Sequence, residues 1–172
     1  MKKYLLALFC IIFVGCGYTP TAKLAKNVLG DKVYVDVAMS RVDPQNTVLI
    51  KDAISAALVD RFGSKIVSKN EANSFIYVSL KNIKFSPLAY DTNGYVISYR
   101  TVVTLKIDYT LSSNEKGSIN TEGEYDFPII ADSVISDSKR FEAIKYASED
   151  ALDEFTAFIA IKGLQNKKAN TE

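Results

Sequence analysis

Histidine is absent from this 172-residue chain, and cysteine occurs only twice, at Cys10 and Cys16. Without histidine the chain lacks the commonest general base and a common metal ligand. Hydrolases of the Ser-His-Asp or Cys-His type are therefore excluded, and a zinc site would have to consist of carboxylates alone. The sequence predicts a protein that is not an enzyme and that needs no cofactor or metal.

An excess of either charge is also missing, since 21 Lys and Arg face 20 Asp and Glu. A nucleic-acid-binding protein needs a net basic surface, so we expect no nucleic-acid partner. The eight glycines are scattered and form no phosphate-binding loop. Two Ser-x-x-Lys matches, at 113–116 and 136–139, are explained by chance in a chain rich in both residues.

Residues 1–15 have the layout of a secretory signal peptide. Lys2 and Lys3 precede an uncharged apolar run of 11 residues at 4–14. A helix needs about 20 apolar residues to cross a membrane, so this run is too short for a permanent span. We expect the segment to be cleaved, which leaves 157 of the 172 residues.

Cys16 follows the small residue Gly15 at the end of the apolar run. This pair resembles the end of a bacterial lipobox, in which the cysteine receives a diacylglyceryl thioether and becomes the acylated N-terminus. Gly17 at the next position favours the outer membrane, by analogy with enteric sorting rules. The alternative is an ordinary secretory signal peptide in which Cys16 is incidental.

Four regions follow from these patterns: a lipoprotein signal peptide at 1–15, a lipidated tether at 16–30, one α/β domain at 31–163 and a polar tail at 164–172. The unlipidated part of the tether, 17–30, mixes Pro, Gly, Thr and Lys without a period, and extends to at most about 50 Å. The domain is long enough to bury a core of its own.

Six periodic segments fill the domain. Alternation of apolar and polar residues predicts strands at 32–40, 74–85, 95–111 and 118–128, and spacings of three and four predict helices at 46–62 and 138–162. The fold class is therefore α+β in the order β-α-β-β-β-α. Because each strand has one apolar face, we expect a four-stranded, mostly antiparallel sheet with both helices packed on one face.

Local signals predict where these elements bend or end. The alternation slips near Asn82, which indicates a β-bulge in the second strand. Pro87 is predicted to close that strand before a loop at 86–94. Gly63 and Gly163 are predicted to end the two helices, because a helix often ends in a left-handed residue.

Four cations are predicted on the polar side of the sheet, at Lys81, Lys84, Arg100 and Lys106. Three tyrosines, Tyr90, Tyr95 and Tyr99, are predicted to cluster at the adjoining hairpin. Cations beside aromatic rings can bind an anionic amphiphile, and these four are our candidate ligand-binding residues. The alternative is an outer face that only keeps the protein soluble.

The complete pattern resembles the LptE family of lipopolysaccharide-assembly lipoproteins. The resemblance rests on the GCGY sequence at 15–18, a helix ending at Arg61 and Phe62, and a meander entered through Tyr99 and Arg100. It implies an outer-membrane lipoprotein, facing the periplasm, that plugs the lumen of the β-barrel protein LptD and helps to pass lipopolysaccharide to the outer leaflet. The implied partners are LptD, lipopolysaccharide and the membrane holding Cys16.

Two other functions remain open for a small tethered α/β domain. It could be the auxiliary lipoprotein of an ABC-type lipid transporter, or a lipoprotein that activates a peptidoglycan synthase. The short tether favours a partner in the same membrane as the anchor.

Overall fold

The computed structural model describes residues 28–38, 47–62, 66–131 and 133–169. Its elements follow the predicted order β-α-β-β-β-α, and the α+β single-domain fold is confirmed. The elements are β1 (Val33–Val37), α1 (Thr47–Phe62), β2 (Ser74–Tyr90), β3 (Val96–Thr110), β4 (Lys116–Pro128) and α2 (Asp137–Ala169). Cys16, the signal peptide, most of the tether and Gly63 lie outside the described residues, and the predicted division into four regions stays a prediction.

The described strands form one sheet in the spatial order β1-β2-β3-β4. β2, β3 and β4 are antiparallel neighbours, whereas β1 runs parallel to β2. A parallel pair needs a crossover connection, and α1 supplies one between β1 and β2. The sheet is therefore mixed with a mostly antiparallel ladder, as the sequence predicts.

β3 sets the two faces of the sheet. Its odd-numbered residues from Thr101 to Tyr109 are buried, and the even-numbered residues between them are only partly buried. Val103, Leu105 and Ile107 are fully buried among residues of β1, β2 and both helices. Since a slip of one residue would turn this apolar row to water, the burial of one face fixes the register of the central strand.

Both helices pack on the face that holds this core, which we call the covered face. α1 contributes Ala53, Ile54 and Ala57, and α2 contributes a longer row that includes Leu152 and Phe155. Ala147 and Ala151 of α2 are small residues of this row, and their backbone lies directly against β4. The arrangement of two helices on one face is confirmed.

The closest approach of α2 to the sheet is at Gly123 in β4. A Cβ atom at this position would overlap the carbonyl oxygen of Ala147 and the amide nitrogen of Ala151. Beside it, the carboxylates of Asp150 and Glu154 accept hydrogen bonds, each of 2.9 Å, from two backbone amides of β4. α2 therefore packs on the strand and also satisfies part of its outer edge.

β2 differs from its predicted length. The predicted bulge is present as a register shift between Leu80 and Asn82, but the strand continues through Pro87 to Tyr90. Among the described strands only β3 pairs with this half of β2, because β1 ends opposite Val78. Pro87 thus lies in an edge strand, where a missing N–H need not cost a ladder hydrogen bond.

The predicted loop at 86–94 was therefore wrong, and the turn is confined to the residues after Tyr90. Asp91 accepts hydrogen bonds from the amides of Asn93 and Tyr95, at 2.9 and 2.8 Å. Gly94 has a φ of 86°, the left-handed conformation expected of an Asn-Gly turn.

The predicted end of α2 at Lys162 was wrong as well, because the helix continues to Ala169. Gly163 is not among the glycines with positive φ, so it does not form the left-handed cap. A glycine inside a helix costs about 1 kcal/mol relative to alanine, which neighbouring contacts can offset. One such contact is the ion pair between Lys162 and Glu115 of the β3–β4 turn.

Gly123→Ala is expected to destabilise the domain by more than about 2 kcal/mol, because the added methyl group would push the α2 backbone away from β4. Urea unfolding followed by circular dichroism measures the change. Asn120→Ala is the matched control, since Asn120 is an exposed residue of the same strand, and it should change stability by less than about 0.5 kcal/mol. Equal stabilities for the two variants would contradict the close packing.

Candidate functional site

The face opposite the helices, which we call the open face, carries all four predicted cations. Arg100 and Lys106 belong to the even-numbered row of β3, and Lys84 lies opposite Val102 of that row. Lys81 lies in the bulge of β2, and its charge acts on Asp108 of the same row. The bulge thus allows both lysines to lie on one side although their spacing in the sequence is odd.

Arg100 is fully engaged with the neighbouring strand. Its Nε and Nη2 atoms donate to the two carboxylate oxygens of Asp126 at 2.7 and 2.8 Å, and Nη1 lies 2.8 Å from Glu124. The hydrogen bond from Arg100 holds the pKa of Asp126 below its ordinary value, and the same contacts raise the pKa of Arg100. This guanidinium is a cross-strand clamp between β3 and β4, and its part in ligand binding stays a prediction.

Lys106 is also paired, through a contact of 3.0 Å between its Nζ and Asp108 Oδ2. A hydrogen bond from Ser118 lowers the pKa of Asp108 most, and the hydrogen bond and charge of Lys106 lower it further. The ammonium group of Lys106 therefore already has a carboxylate partner.

Lys81 and Lys84 differ from the other two cations. Both are exposed, and within the described part of the chain neither makes an ion pair with a carboxylate. Two free ammonium groups on one strand can bind phosphate or carboxylate groups. Of the four predicted binding residues, these two have no carboxylate partner within the described ranges.

An acidic row on β4 lies across the sheet from these lysines. It consists of Glu122, Glu124 and Asp126, which pair in register with Thr104, Val102 and Arg100. Thr104 Oγ1 donates to Glu122 at 3.2 Å, so the row is bonded to β3 along its length. The pairing with Arg100 was missed from the sequence, although the short turn between β3 and β4 fixes a register that would have shown it.

The predicted tyrosine cluster is divided between two faces. Tyr99 lies over Phe127 on the covered face, with ring centroids 6.2 Å apart and planes at 23°. Tyr90 and Tyr95 are 58% and 48% exposed at the β2–β3 turn. The prediction failed for Tyr99 because its odd position places it on the apolar face of β3.

An exposed apolar surface that the sequence analysis did not single out lies at this end of the sheet. The loop between β4 and α2 exposes 81% of Ile130 and 90% of Val134, beside a depression of about 490 Å³. A backbone hydrogen bond of 2.9 Å from Ile129 to Ile97 joins the loop to β3, close to the exposed tyrosines. We call these residues the apolar end: Leu88, Tyr90, Tyr95, Ile130 and Val134.

No group of three or more Asp, Glu, Cys or His residues in the described part of the chain could hold a metal ion. None of the helices in the described ranges has the length and apolar character needed to cross a membrane.

These features define a small α+β domain with one face closed by helices and a charged face that is open to partners. The LptE lipopolysaccharide-assembly family model matches residues 34–159, from β1 into α2. The chain belongs to the LptE family, which is a non-enzymatic family of lipopolysaccharide-assembly lipoproteins.

Several solved structures are similar to this chain at low identity. Rare lipoprotein B from Shewanella oneidensis is 13% identical, with 81% of this chain and 96% of that chain covered and a TM-score of 0.40. A putative lipoprotein from Caulobacter crescentus is 15% identical, with 86% and 96% covered and a TM-score of 0.45. No curated protein sequence matches the chain.

Arg100→Met is expected to raise the pKa of Asp126 towards its ordinary value of 3.8. In the native protein the lowered pKa adds stability above that value, and the contribution is lost as pH falls through the folded-state pKa. The stability difference between native protein and variant should therefore shrink between pH 7 and pH 2.5. Carboxyl NMR titration and urea unfolding at both pH values measure these effects.

Lys84→Met is the control for this titration, because Lys84 makes no ion pair with Asp126. It should leave the pKa of Asp126 unchanged. An unshifted Asp126 pKa in Arg100→Met would show that the clamp does not form in solution.

Proposed function

We propose that this protein is an outer-membrane lipoprotein that plugs the β-barrel protein LptD and assists the insertion of lipopolysaccharide into the outer leaflet. The observation that carries the proposal is the family match over 34–159, which spans most of the folded domain. Family membership indicates the process, which is lipopolysaccharide assembly. The geometry of the domain indicates which surfaces could act in that process.

The free lysines suit the phosphate groups of lipopolysaccharide. Lys81 and Lys84 lie on the exposed half of β2, and ammonium groups form strong charge-assisted hydrogen bonds with phosphate. Beside them, the salt-bridged residues of β3 and β4 hold these two strands of the sheet in place. An anionic headgroup could therefore lie across β2 without displacing an existing ion pair.

The apolar end suits the acyl part of such an amphiphile or an apolar wall of the barrel. Tyr90 follows Lys84 by six residues of the same strand, or about 20 Å. Five large apolar or aromatic side chains are exposed at this end of the domain, and exposed apolar surface of this kind often marks a binding site. The two surfaces thus offer charge and apolar contact along one side of the domain.

The proposal includes a lipid anchor at Cys16, which is a prediction from the sequence. Acylation of Cys16 would hold the domain at the periplasmic side of the outer membrane, and several acyl chains anchor stably where one gives weak binding. An anchor in the membrane that also holds LptD would raise the local concentration of the domain around the barrel.

The direct test is purification of the tagged, acylated protein after mild detergent extraction. We expect LptD to co-purify with it. Val134→Glu should reduce the yield of LptD, because the charge would enter the apolar end, whereas Val48→Glu should not. Val48 is 69% exposed on α1 and is the matched control. A native chain that never retains LptD would overturn the proposal.

Lys81→Glu/Lys84→Glu is expected to weaken lipopolysaccharide binding by roughly tenfold or more, since two charge-assisted contacts become repulsive. Retention of labelled lipopolysaccharide by the purified protein measures the effect. Lys51→Glu on α1, on the helical side of the sheet, is the control and should bind as the native protein does. Equal losses in both variants would remove the open face from the proposed site.

A further inference from the structure

The end of the sheet opposite the apolar end receives the chain from its tether. Ser112 Oγ donates to the carbonyl oxygen of Val28 at 2.8 Å, and Ser74 Oγ donates to that of Leu29 at 2.6 Å. Leu29 is 2% exposed within the core. The chain that leads back to Cys16 therefore leaves the fold between the start of β2 and the β3–β4 turn, which we call the tether end.

A basic depression of about 420 Å³ lies on the open face at the tether end. It is lined by Lys69, Phe75, Tyr77, Thr110, Asn114 and Lys116. Tyr34 of β1 extends the aromatic part, since its ring centroid lies 6.2 Å from that of Phe75 and 6.0 Å from that of Tyr77. Partly exposed aromatic rings and exposed lysines thus occur together where the tether begins.

The charges around this depression favour anions. Lys69 and Lys116 are exposed, and neither forms an ion pair within the described part of the chain. Two acidic residues flank the depression, since Asp36 and Asp108 pair in register with Tyr77. Asp108 is bonded to Lys106, so the two lysines outnumber the one remaining carboxylate, that of Asp36.

The position of the tether indicates that a bilayer surface is what binds at this depression. Only 11 residues lie between Cys16 and Val28, so an acylated Cys16 keeps this end within about 40 Å of the bilayer. Each lysine near an anionic bilayer raises the bound population roughly fivefold, and two together roughly 30-fold. Aromatic rings favour the depth of the lipid headgroups. Because the anchor already holds the domain near the bilayer, such weak contacts are enough to orient the domain on the membrane.

We propose that the tether end docks on the anionic phospholipid surface that holds the anchor, through Lys69, Lys116 and the rings of Phe75 and Tyr77. This inference rests on acylation of Cys16, but it does not depend on binding to LptD or lipopolysaccharide.

The test uses the acylated mature protein in vesicles of phosphatidylethanolamine and phosphatidylglycerol, or of phosphatidylcholine alone. Cys16 is the only cysteine of the mature chain, so Ser113→Cys places a single free thiol at the tether end, and Thr92→Cys places one at the opposite hairpin as a control. An environment-sensitive dye on each thiol reports contact with headgroups. We expect a blue shift and headgroup quenching only at position 113, only in anionic vesicles, and reversed in about 0.5 M salt.

Lys69→Glu/Lys116→Glu should lower the docked population at least tenfold while LptD still co-purifies. Lys81→Glu/Lys84→Glu, with the same change in charge farther along the open face, should change docking less than threefold. Three outcomes would each overturn the proposal. The dye signal at position 113 could be equal in neutral and anionic vesicles, or the two double variants could lose docking equally. The third outcome is a protein that does not float with the vesicles. If the native protein docks on the vesicles but does not co-purify with LptD, only the proposed function is overturned.

Discussion

The contact between α2 and β4 at Gly123 determines which face of the sheet is available. With no side chain at Gly123, the helix backbone lies directly on the strand, and Asp150 and Glu154 bond the outer edge of β4. The same packing closes the core over the odd-numbered row of β3. The even-numbered row is then left without a helical cover, so every candidate binding residue of the sheet faces the same way.

The cations of the open face differ in what they can contribute. Arg100 and Lys106 are bonded to carboxylates and hold neighbouring groups in place, whereas Lys81 and Lys84 are exposed without such partners. The sheet is therefore basic along β2 and acidic along β4. A partner with an anionic group would be oriented by this difference, and its approach would weaken as salt rises.

The sequence was sufficient for the element order, the faces of β3 and the bulge near Asn82, because these depend on periodicity within one segment. It was insufficient where the outcome depends on neighbours. Pro87 ends no strand because that half of β2 lies at an edge, and the helix continues through Gly163 to Ala169. The ion pairs of Arg100 depend on the register of β3 against β4. The position of the tether end depends on the hydrogen bond between Val28 and Ser112. None of these relations is visible in a single segment.

We propose that the open face, and not the helical face, meets the lipopolysaccharide-assembly partner. Site-specific photo-crosslinking in living cells tests this claim most directly, with the photoreactive residue at Asn82 on the open face or at Asp52 on the exposed side of α1. The account predicts crosslinks to LptD or lipopolysaccharide from position 82 and none from position 52. Crosslinks from position 52 alone would contradict it.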